Sequence, residues 1–240
     1  MRYRNRFISF GLTKNHKSFG MKNVVTVFTI FFFISFSAAS QKRWGFADAV
    51  GFNSVDGYNG LGIKTKTIVT FQVSVFAILP ADKKESFVFM PSLGYLPKGV
   101  QFSNILFTDN LGNETGNGNL KRRIDYLQLT LAESYKMQWG SGIEGFIGAG
   151  PYIAYALAGK EKVSGFVPVN NSAAPPDKAV DFKAASIKRW DAGINVQVSA
   201  IFSKTWLVGL CTDFGILKLN SAGTINAQNR SSRIYVGYVF

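Results

Sequence analysis

Residues 190–202 read Trp-Asp-Ala-Gly-Ile-Asn-Val-Gln-Val-Ser-Ala-Ile-Phe, and this stretch decides the fold class. Every even position from Trp190 to Phe202 is apolar, whereas the odd positions from Asp191 to Ser199 are polar or glycine. In a helix, residues three and four apart share a face, and that spacing would mix the two sets. The period of two therefore predicts a β-strand with one apolar and one polar face.

The same alternation recurs in seven other segments, which are residues 44–53, 67–79, 86–96, 125–137, 143–157, 205–219 and 232–240. The connections between the eight segments alternate in length. The long ones are 54–66, 97–124, 158–188 and 220–231, and the short ones are 80–85, 138–142 and 203–204. Outer-membrane barrels have short periplasmic turns and long extracellular loops. The pattern predicts an all-β protein, an eight-stranded antiparallel transmembrane β-barrel; a soluble periplasmic β-sandwich with its apolar faces packed inward is the alternative.

The first forty residues read as an export signal rather than as part of the fold. They contain six basic residues and no acidic one, then an apolar run at 24–36, then the small residues 37–40. The run is too short for a membrane-spanning helix, which needs about 20 residues. We expect a signal peptide at 1–40 and a barrel domain at 41–240, with Met21 as an alternative start.

Composition excludes several classes of protein. The chain is 47% hydrophobic and 17% charged with one Cys, which argues against a disordered chain and a disulfide scaffold. Its net charge is +13, but removal of six basic residues from 27 leaves 21 against 14 acidic ones, or about +7. A basic balance that arises partly from the signal gives little support to nucleic-acid binding.

The residues offer no catalytic or cofactor site. The only histidine, His16, lies in the signal segment, so the mature chain would lack a histidine base. Cys211 lies within a strand and is expected to be a structural thiol. The glycines at 145, 148 and 150 lack the spacing and the following Lys-Ser or Lys-Thr of a phosphate loop. We therefore expect a protein that is not an enzyme and that binds neither cofactor nor metal.

Polar residues on the inward faces predict a network that fills the lumen. If the turn at 138–142 is centred on Gly140, Lys136 lies directly opposite Glu144, and a turn at 203–205 places Asn195 opposite Asp213. Buried charges need partners. The predicted structural network consists of Lys136, Glu144, Arg189, Asp191, Asn195, Asp213 and Arg233.

Aromatic and basic residues predict where the barrel meets the membrane surface. Trp206, Tyr238 and Phe240 are expected near the periplasmic rim and Trp190 near the outer rim, as an aromatic girdle. The basic residues expected near the outer rim are Lys121, Arg122, Arg123, Lys160, Lys162, Lys183, Lys188 and Arg189. They favour attraction to anionic lipopolysaccharide. The expected partners are outer-membrane lipid, lipopolysaccharide, the barrel-assembly machinery during insertion and envelope proteins.

Four motifs resemble the PorT-like family of outer-membrane β-barrels over almost all of 44–240. They are Pro-Ser-Leu-Gly-Tyr-Leu-Pro-Lys-Gly at 91–99, Tyr-Leu-Gln-Leu-Thr at 126–130, Gly-Pro-Tyr at 150–152 and Gly-Tyr-Val-Phe at 237–240. Ser92 and Gln128 stand where the family usually has acidic residues, and Thr130 stands where it has proline. The resemblance implies an outer-membrane location and a structural or accessory role in export or assembly of surface proteins. A surface-binding barrel that acts through its long loops is the alternative.

Overall fold

A computed structural model of the chain describes residues 42–58, 63–108, 113–140, 142–169, 171–220 and 226–240. The expected signal peptide at 1–40 lies outside the described residues. In the described segments, no helix is long and apolar enough to cross a membrane.

In the described residues, ten strands form one antiparallel sheet. In chain order they are β1 (Arg43–Asp56), β2 (Thr65–Lys66), β3 (Ile68–Pro80), β4 (Phe87–Thr108), β5 (Glu114–Trp139), β6 (Ile143–Pro168), β7 (Lys178–Ala179), β8 (Trp190–Phe202), β9 (Trp206–Gly215) and β10 (Gln228–Val239). The short strands β2 and β7 pair only with β4 and β6.

The eight long strands close into a ring. β1 pairs with β10, and β4 pairs with both β3 and β5, so none of the eight long strands of the described chain lacks a partner on either side. Ladder partners followed once around the ring from Leu79 return to the same strand at Val69, ten residues away. Such a stagger requires strongly tilted strands, which closure of a barrel demands. The predicted eight-stranded antiparallel barrel is confirmed.

The apolar face of each strand points outward. On β3, Val69, Phe71, Val73 and Val75 are 53%, 80%, 52% and 56% exposed, whereas the intervening Thr70 and Gln72 are buried. A continuous exposed surface of this kind is unfavourable in water and favourable against lipid. The burial pattern therefore rejects the sandwich alternative, in which the apolar residues would be inside.

Three strands are longer than the sequence pattern predicted. The proposed loop at 97–124 is wrong, because β4 continues to Thr108, β5 begins at Glu114, and the two still pair at Phe107 and Gly116. β6 likewise runs to Pro168 through the proposed loop at 158–188. Register shifts break the alternation in these outer segments, between Phe102 and Ile105 on β4 and, between β5 and β6, at Asp125 and Tyr126 and at Asn117 and Asn119.

The extra length forms a projecting sheet, which we call the ribbon and define as residues 103–108, 114–121 and 162–168. Two smaller differences concern β9 and β10. β9 ends at Gly215, so the strand proposed to residue 219 is too long. β10 begins at Gln228, so the loop proposed to residue 231 is also too long. The short connections lie at the opposite end of the barrel, together with the first residues of β1 and the last residues of β10. We call the two ends the ribbon end and the turn end.

Candidate functional site: the lumen and the ribbon

A buried lysine lies at the centre of the lumen. Lys98 is on β4, points inward and is 1% exposed. Its Nζ is 3.2 Å from Asp191 Oδ2 and 3.4 Å from Asp213 Oδ2, so one ammonium joins two carboxylates. The same Nζ lies 4.3 Å from the centroid of the Tyr152 ring, which adds a cation–π contact.

The two aspartates are held by different donors. Asp213 accepts hydrogen bonds from Arg233 Nη2 at 2.8 Å, Asn195 Nδ2 at 2.7 Å and Gln128 Nε2 at 3.0 Å.

Asp191 accepts from Tyr152 Oη at 3.3 Å and Asn229 Nδ2 at 3.0 Å. Within this part of the described lumen, two cations therefore balance two anions. Ionised groups in a low dielectric need partners of opposite charge, and this arrangement supplies them. We call Lys98, Asp191, Asp213 and Arg233 the central network.

The structure brings four of the predicted network residues together, namely Asp191, Asn195, Asp213 and Arg233. The hairpin between β8 and β9 sets part of this geometry: Phe202 pairs with Trp206, and Ser203 and Lys204 have φ of 51° and 63° in the three-residue turn. This turn places Asn195 directly across from Asp213. Lys98 was not identified from the sequence, because it falls in the segment read as a loop.

Lys136 and Glu144 lie in a separate cluster at the turn end. The prediction that they are direct cross-strand partners is wrong, since Lys136 pairs with Phe146 and Glu144 with Gln138. The hairpin is centred one residue beyond Gly140, and this displaces the ladder by two positions. The side chains nevertheless share the inward face, and Lys136 Nζ reaches Glu144 Oε1 diagonally at 3.1 Å.

Two further charged residues complete this cluster. Arg43 Nη2 lies 2.5 Å from Glu144 Oε2, and Glu85 Oε2 lies 3.4 Å from Lys136 Nζ. The four groups balance in charge.

Arg189 does not join either network. It precedes the first residue of β8, so the alternation that places Asp191 inward does not extend to it. Its Nη1 donates to the Ala156 carbonyl at 3.1 Å, and its guanidinium lies 4.3 Å from the Phe182 ring centroid. The structure places Arg189 at the ribbon end, over an apolar cluster that includes Phe182.

A small cavity of about 60 Å³ separates the central network from the turn end. Gln197, Ser134 and Cys211 are among the residues at or near its wall, and Gln197 Nε2 donates to Ser134 Oγ at 3.2 Å. Between this cavity and the turn end, buried apolar side chains such as Phe146, Ile201 and Leu207 fill the lumen. The cavity is large enough for water, and the buried apolar side chains bound it toward the turn end.

Cys211 is buried beside Arg233, whose Nε lies 3.0 Å from Sγ. In the described residues there is no histidine and no group of three or more metal-ligating side chains. The contact with Arg233 ties the thiol to the central network.

Apolar residues line much of the ribbon end of the lumen, around a second cavity of about 50 Å³ that also reaches Lys98 and Arg122. Val55, Val100, Phe102, Leu219 and Ala227 form a buried cluster there.

Tyr58, which follows β1, packs edge to face on Phe102 at a centroid distance of 4.9 Å. Burial raises the pKa of Tyr58, and the charge of Arg122 opposes that rise. The phenol is therefore neutral at physiological pH and adds to this lining.

Exposed aromatic side chains mark both edges of the apolar band. At the turn end, Tyr238 contacts Trp206 at 5.5 Å and Phe240 at 5.3 Å between ring centroids. At the ribbon end, Trp190 contacts Tyr155 at 4.9 Å. Of the expected girdle residues, Trp206, Tyr238 and Phe240 thus lie at the turn end, and Trp190 lies at the ribbon end.

The ribbon exposes apolar side chains beyond this band. Leu106 is 53% exposed and Val167 61% exposed. Phe107 and Phe166 contact each other across the ribbon at 5.8 Å between centroids. These residues are candidates for contact with another macromolecule, because isolated soluble surfaces seldom carry such a cluster.

Comparison with known proteins gives a family and several distant structural likenesses. The model of the family described as "Outer membrane protein beta-barrel domain" matches residues 27–220. No match was found among curated protein sequences.

Three solved structures illustrate the likenesses. Neisserial surface protein A is 12% identical, with 83% of this chain and 96% of that chain covered and a TM-score of 0.46. Ail of Yersinia pestis is 10% identical, with 83% and 97% covered and a TM-score of 0.39. OprG of Pseudomonas aeruginosa is 12% identical, with 84% and 96% covered and a TM-score of 0.40.

Proposed function

The chain belongs to the outer membrane protein beta-barrel domain family and is located in the outer membrane, and on that premise we propose that it is a non-enzymatic, non-conducting barrel that presents the ribbon to surface or envelope proteins. The turn end then faces the periplasm and the ribbon end faces outward. The role is structural or accessory: the barrel anchors the ribbon in the membrane, and the ribbon makes the contacts.

The observation that carries the proposal is the filled lumen. Lys98, Asp191 and Asp213 are each no more than 1% exposed, and the inward positions of the described strands serve to fill the barrel rather than to line a path. An eight-stranded barrel has an interior that side chains can just fill. A filled lumen argues against an open channel, and among the described residues the projecting ribbon exposes apolar side chains outside the lipid-facing band, which supports a role in protein contacts.

The first test replaces residues 103–119 by Asn-Gly. Phe102 and Leu120 are ladder partners, so a two-residue turn can join them without a change in register. We expect a barrel that still inserts and still shows heat-dependent gel mobility, but that no longer crosslinks to envelope proteins in intact cells. A trimmed barrel that retains its crosslinks would contradict the proposal.

Point variants test the exposed apolar side chains of the ribbon without a change in its length. L106S and V167S remove exposed apolar side chains of the ribbon, whereas L217S removes one that is 40% exposed just beyond β9. We expect crosslinking to fall with the first two and to persist with the control. Planar bilayers containing the wild-type barrel should show no stepwise conductance.

The more specific role, in export or assembly of surface proteins, rests on the PorT-like motifs at 91–99, 126–130, 150–152 and 237–240. A deletion strain should then lose surface proteins that reappear inside the cell or in the periplasm. Complementation with the ribbon-trimmed barrel would show whether the ribbon is the part that acts. Insertion itself is expected to need the barrel-assembly machinery.

A further inference from the structure

Four basic residues form a like-charge ladder on the outward face of β5 and β6. Lys121 is the ladder partner of Lys162, and Arg123 is the partner of Lys160. Directly opposed side chains in an antiparallel pair lie about 5 Å apart at Cβ, and like charges at that distance destabilise the pair. Two such pairs stand in succession.

The charges on the opposite face of the same strands are neutralised. Arg122 points inward, and its Nη2 lies 2.6 Å from Glu161 Oε1, which Lys178 also approaches at 3.5 Å from Oε2. Outward, the carboxylate of Asp125 pairs with Arg123 at 2.9 Å. Within the described residues, Lys121, Lys160 and Lys162 have no ion-pair partner.

The ladder begins just beyond the lipid-facing band. Arg123 is four residues from the exposed Leu127 on β5, and Lys160 is five residues from Tyr155, the partner of Trp190, on β6. With about 3.3 Å per residue and a tilt near 40°, Arg123 and Lys160 lie roughly 10 Å above that level, and Lys121 and Lys162, two residues farther along each strand, lie roughly 15 Å above it. The headgroup layer adds about 5–8 Å to each side of the hydrocarbon core, so the long basic side chains reach back toward it from its outer edge.

We propose that Lys121, Arg123, Lys160 and Lys162 form a binding site for the phosphate groups of a phosphorylated lipid of the outer leaflet, of the lipopolysaccharide type. A phosphate placed between the opposed side chains converts their repulsion into attraction, and the acyl chains of the same molecule lie against Leu127, Tyr155 and Leu157. Asp125 limits the charge to a net three positives. Lys121 and Lys162 are the ribbon residues nearest the barrel, but the site depends on the membrane location and not on the protein contacts proposed for the ribbon.

The test compares two variants that remove equal charge. K121Q/K162Q breaks one rung of the ladder, whereas K183Q/K188Q removes two lysines from the segment between β7 and β8. The purified full-length mature barrel is titrated with bisphosphorylated lipid A in detergent micelles, and bound lipid is counted by native mass spectrometry. At roughly fivefold per basic side chain, the ladder variant should bind about 25-fold more weakly and the control within about twofold of wild type.

Two further arms identify the ligand and exclude a merely structural role. Dephosphorylated lipid A should bind wild type and K121Q/K162Q alike, and millimolar inorganic phosphate should not displace lipid A. Without lipid, K121Q/K162Q should unfold at a higher temperature than wild type, because one repulsive pair is gone.

If both variants bound lipid A equally weakly, the ladder would contribute only as general surface charge, and the proposed site would be overturned. Displacement by inorganic phosphate would overturn the assignment to a lipid. Crosslinking of the ribbon to envelope proteins should be the same in K121Q/K162Q and wild type, so failure of this inference can be told apart from failure of the proposed function.

Discussion

Lys98→Met is the substitution with the clearest energetic consequence. Asp213 would keep Arg233, Asn195 and Gln128 as donors, but Asp191 would keep only the neutral groups of Tyr152 and Asn229. A buried ion pair that loses one partner costs about 3–5 kcal/mol, because the remaining charge stays in a low dielectric. We expect the free energy of unfolding to fall by that amount.

The double variant K98M/D191N tests the cause. It removes one charge of each sign, so Asp213 and Arg233 remain as a balanced pair. Its total cost should be no more than about 2 kcal/mol, which is about 1–3 kcal/mol less than that of K98M alone, and the coupling energy between the two sites exceeds this difference by the cost of D191N alone. Asp56→Asn is the control, since its pair with Arg230 is exposed and worth less than about 1 kcal/mol.

The assay is reversible urea unfolding of the barrel in phospholipid vesicles, followed by tryptophan fluorescence and by gel mobility without heating. Additive costs for K98M and D191N would refute the reasoning. So would a K98M variant that unfolds within about 1 kcal/mol of wild type, because the lumen would then solvate Asp191 with water.

Three other substitutions have definite expected outcomes. Gly150→Val should destabilise the barrel by about 3 kcal/mol or more in urea unfolding, because a Cβ would collide with the Leu131 carbonyl oxygen; Gly142→Ala, whose Cβ would meet open space, should change it by less than about 0.5 kcal/mol. Asp48→Val should stabilise the barrel by about 1–2 kcal/mol in vesicles, since Asp48 faces outward among apolar residues; no gain would mean that it has a polar neighbour in the membrane. Phe240→Ala removes a 74% exposed ring in contact with Tyr238 and should lower the folded fraction after outer-membrane fractionation, because the aromatic contacts at the turn end are lost; an unchanged fraction would mean that this ring contact does not stabilise the barrel.

Much of the barrel followed from local patterns. In residues 190–202 the alternation alone identifies a strand and its two faces, because side chains alternate strictly along extended backbone. The short turn at 203–205 then determined which residues of β8 and β9 are partners. The corresponding estimate at 138–142 failed by two positions, because the position of a turn's centre depends on backbone geometry that the residue types there do not determine.

Two features limited the pattern beyond residue 96. Gly99 and Gln101, on the face opposite Lys98, are not apolar, and a register shift between Phe102 and Ile105 then breaks the alternation on β4, so the outer parts of β4 and β5 were read as a loop. The ribbon, and with it the exposed Leu106, could be recognised only when the strands were seen to pair. The like-charge ladder was hidden for the same reason: its four basic residues stood in two segments read as separate loops.

The sequence by itself determined the eight long strands and their antiparallel order, since both depend on residues close together in the chain. The structure decided that the apolar faces point outward, because the same alternation also fits a sandwich with apolar faces packed inward. Only the tertiary structure decided which charges meet. Lys98 and Asp191 are 93 positions apart, and nothing local to either residue specifies the other. Their contact follows from ring closure, because the stagger accumulated around eight strands sets which inward positions share a level in the lumen.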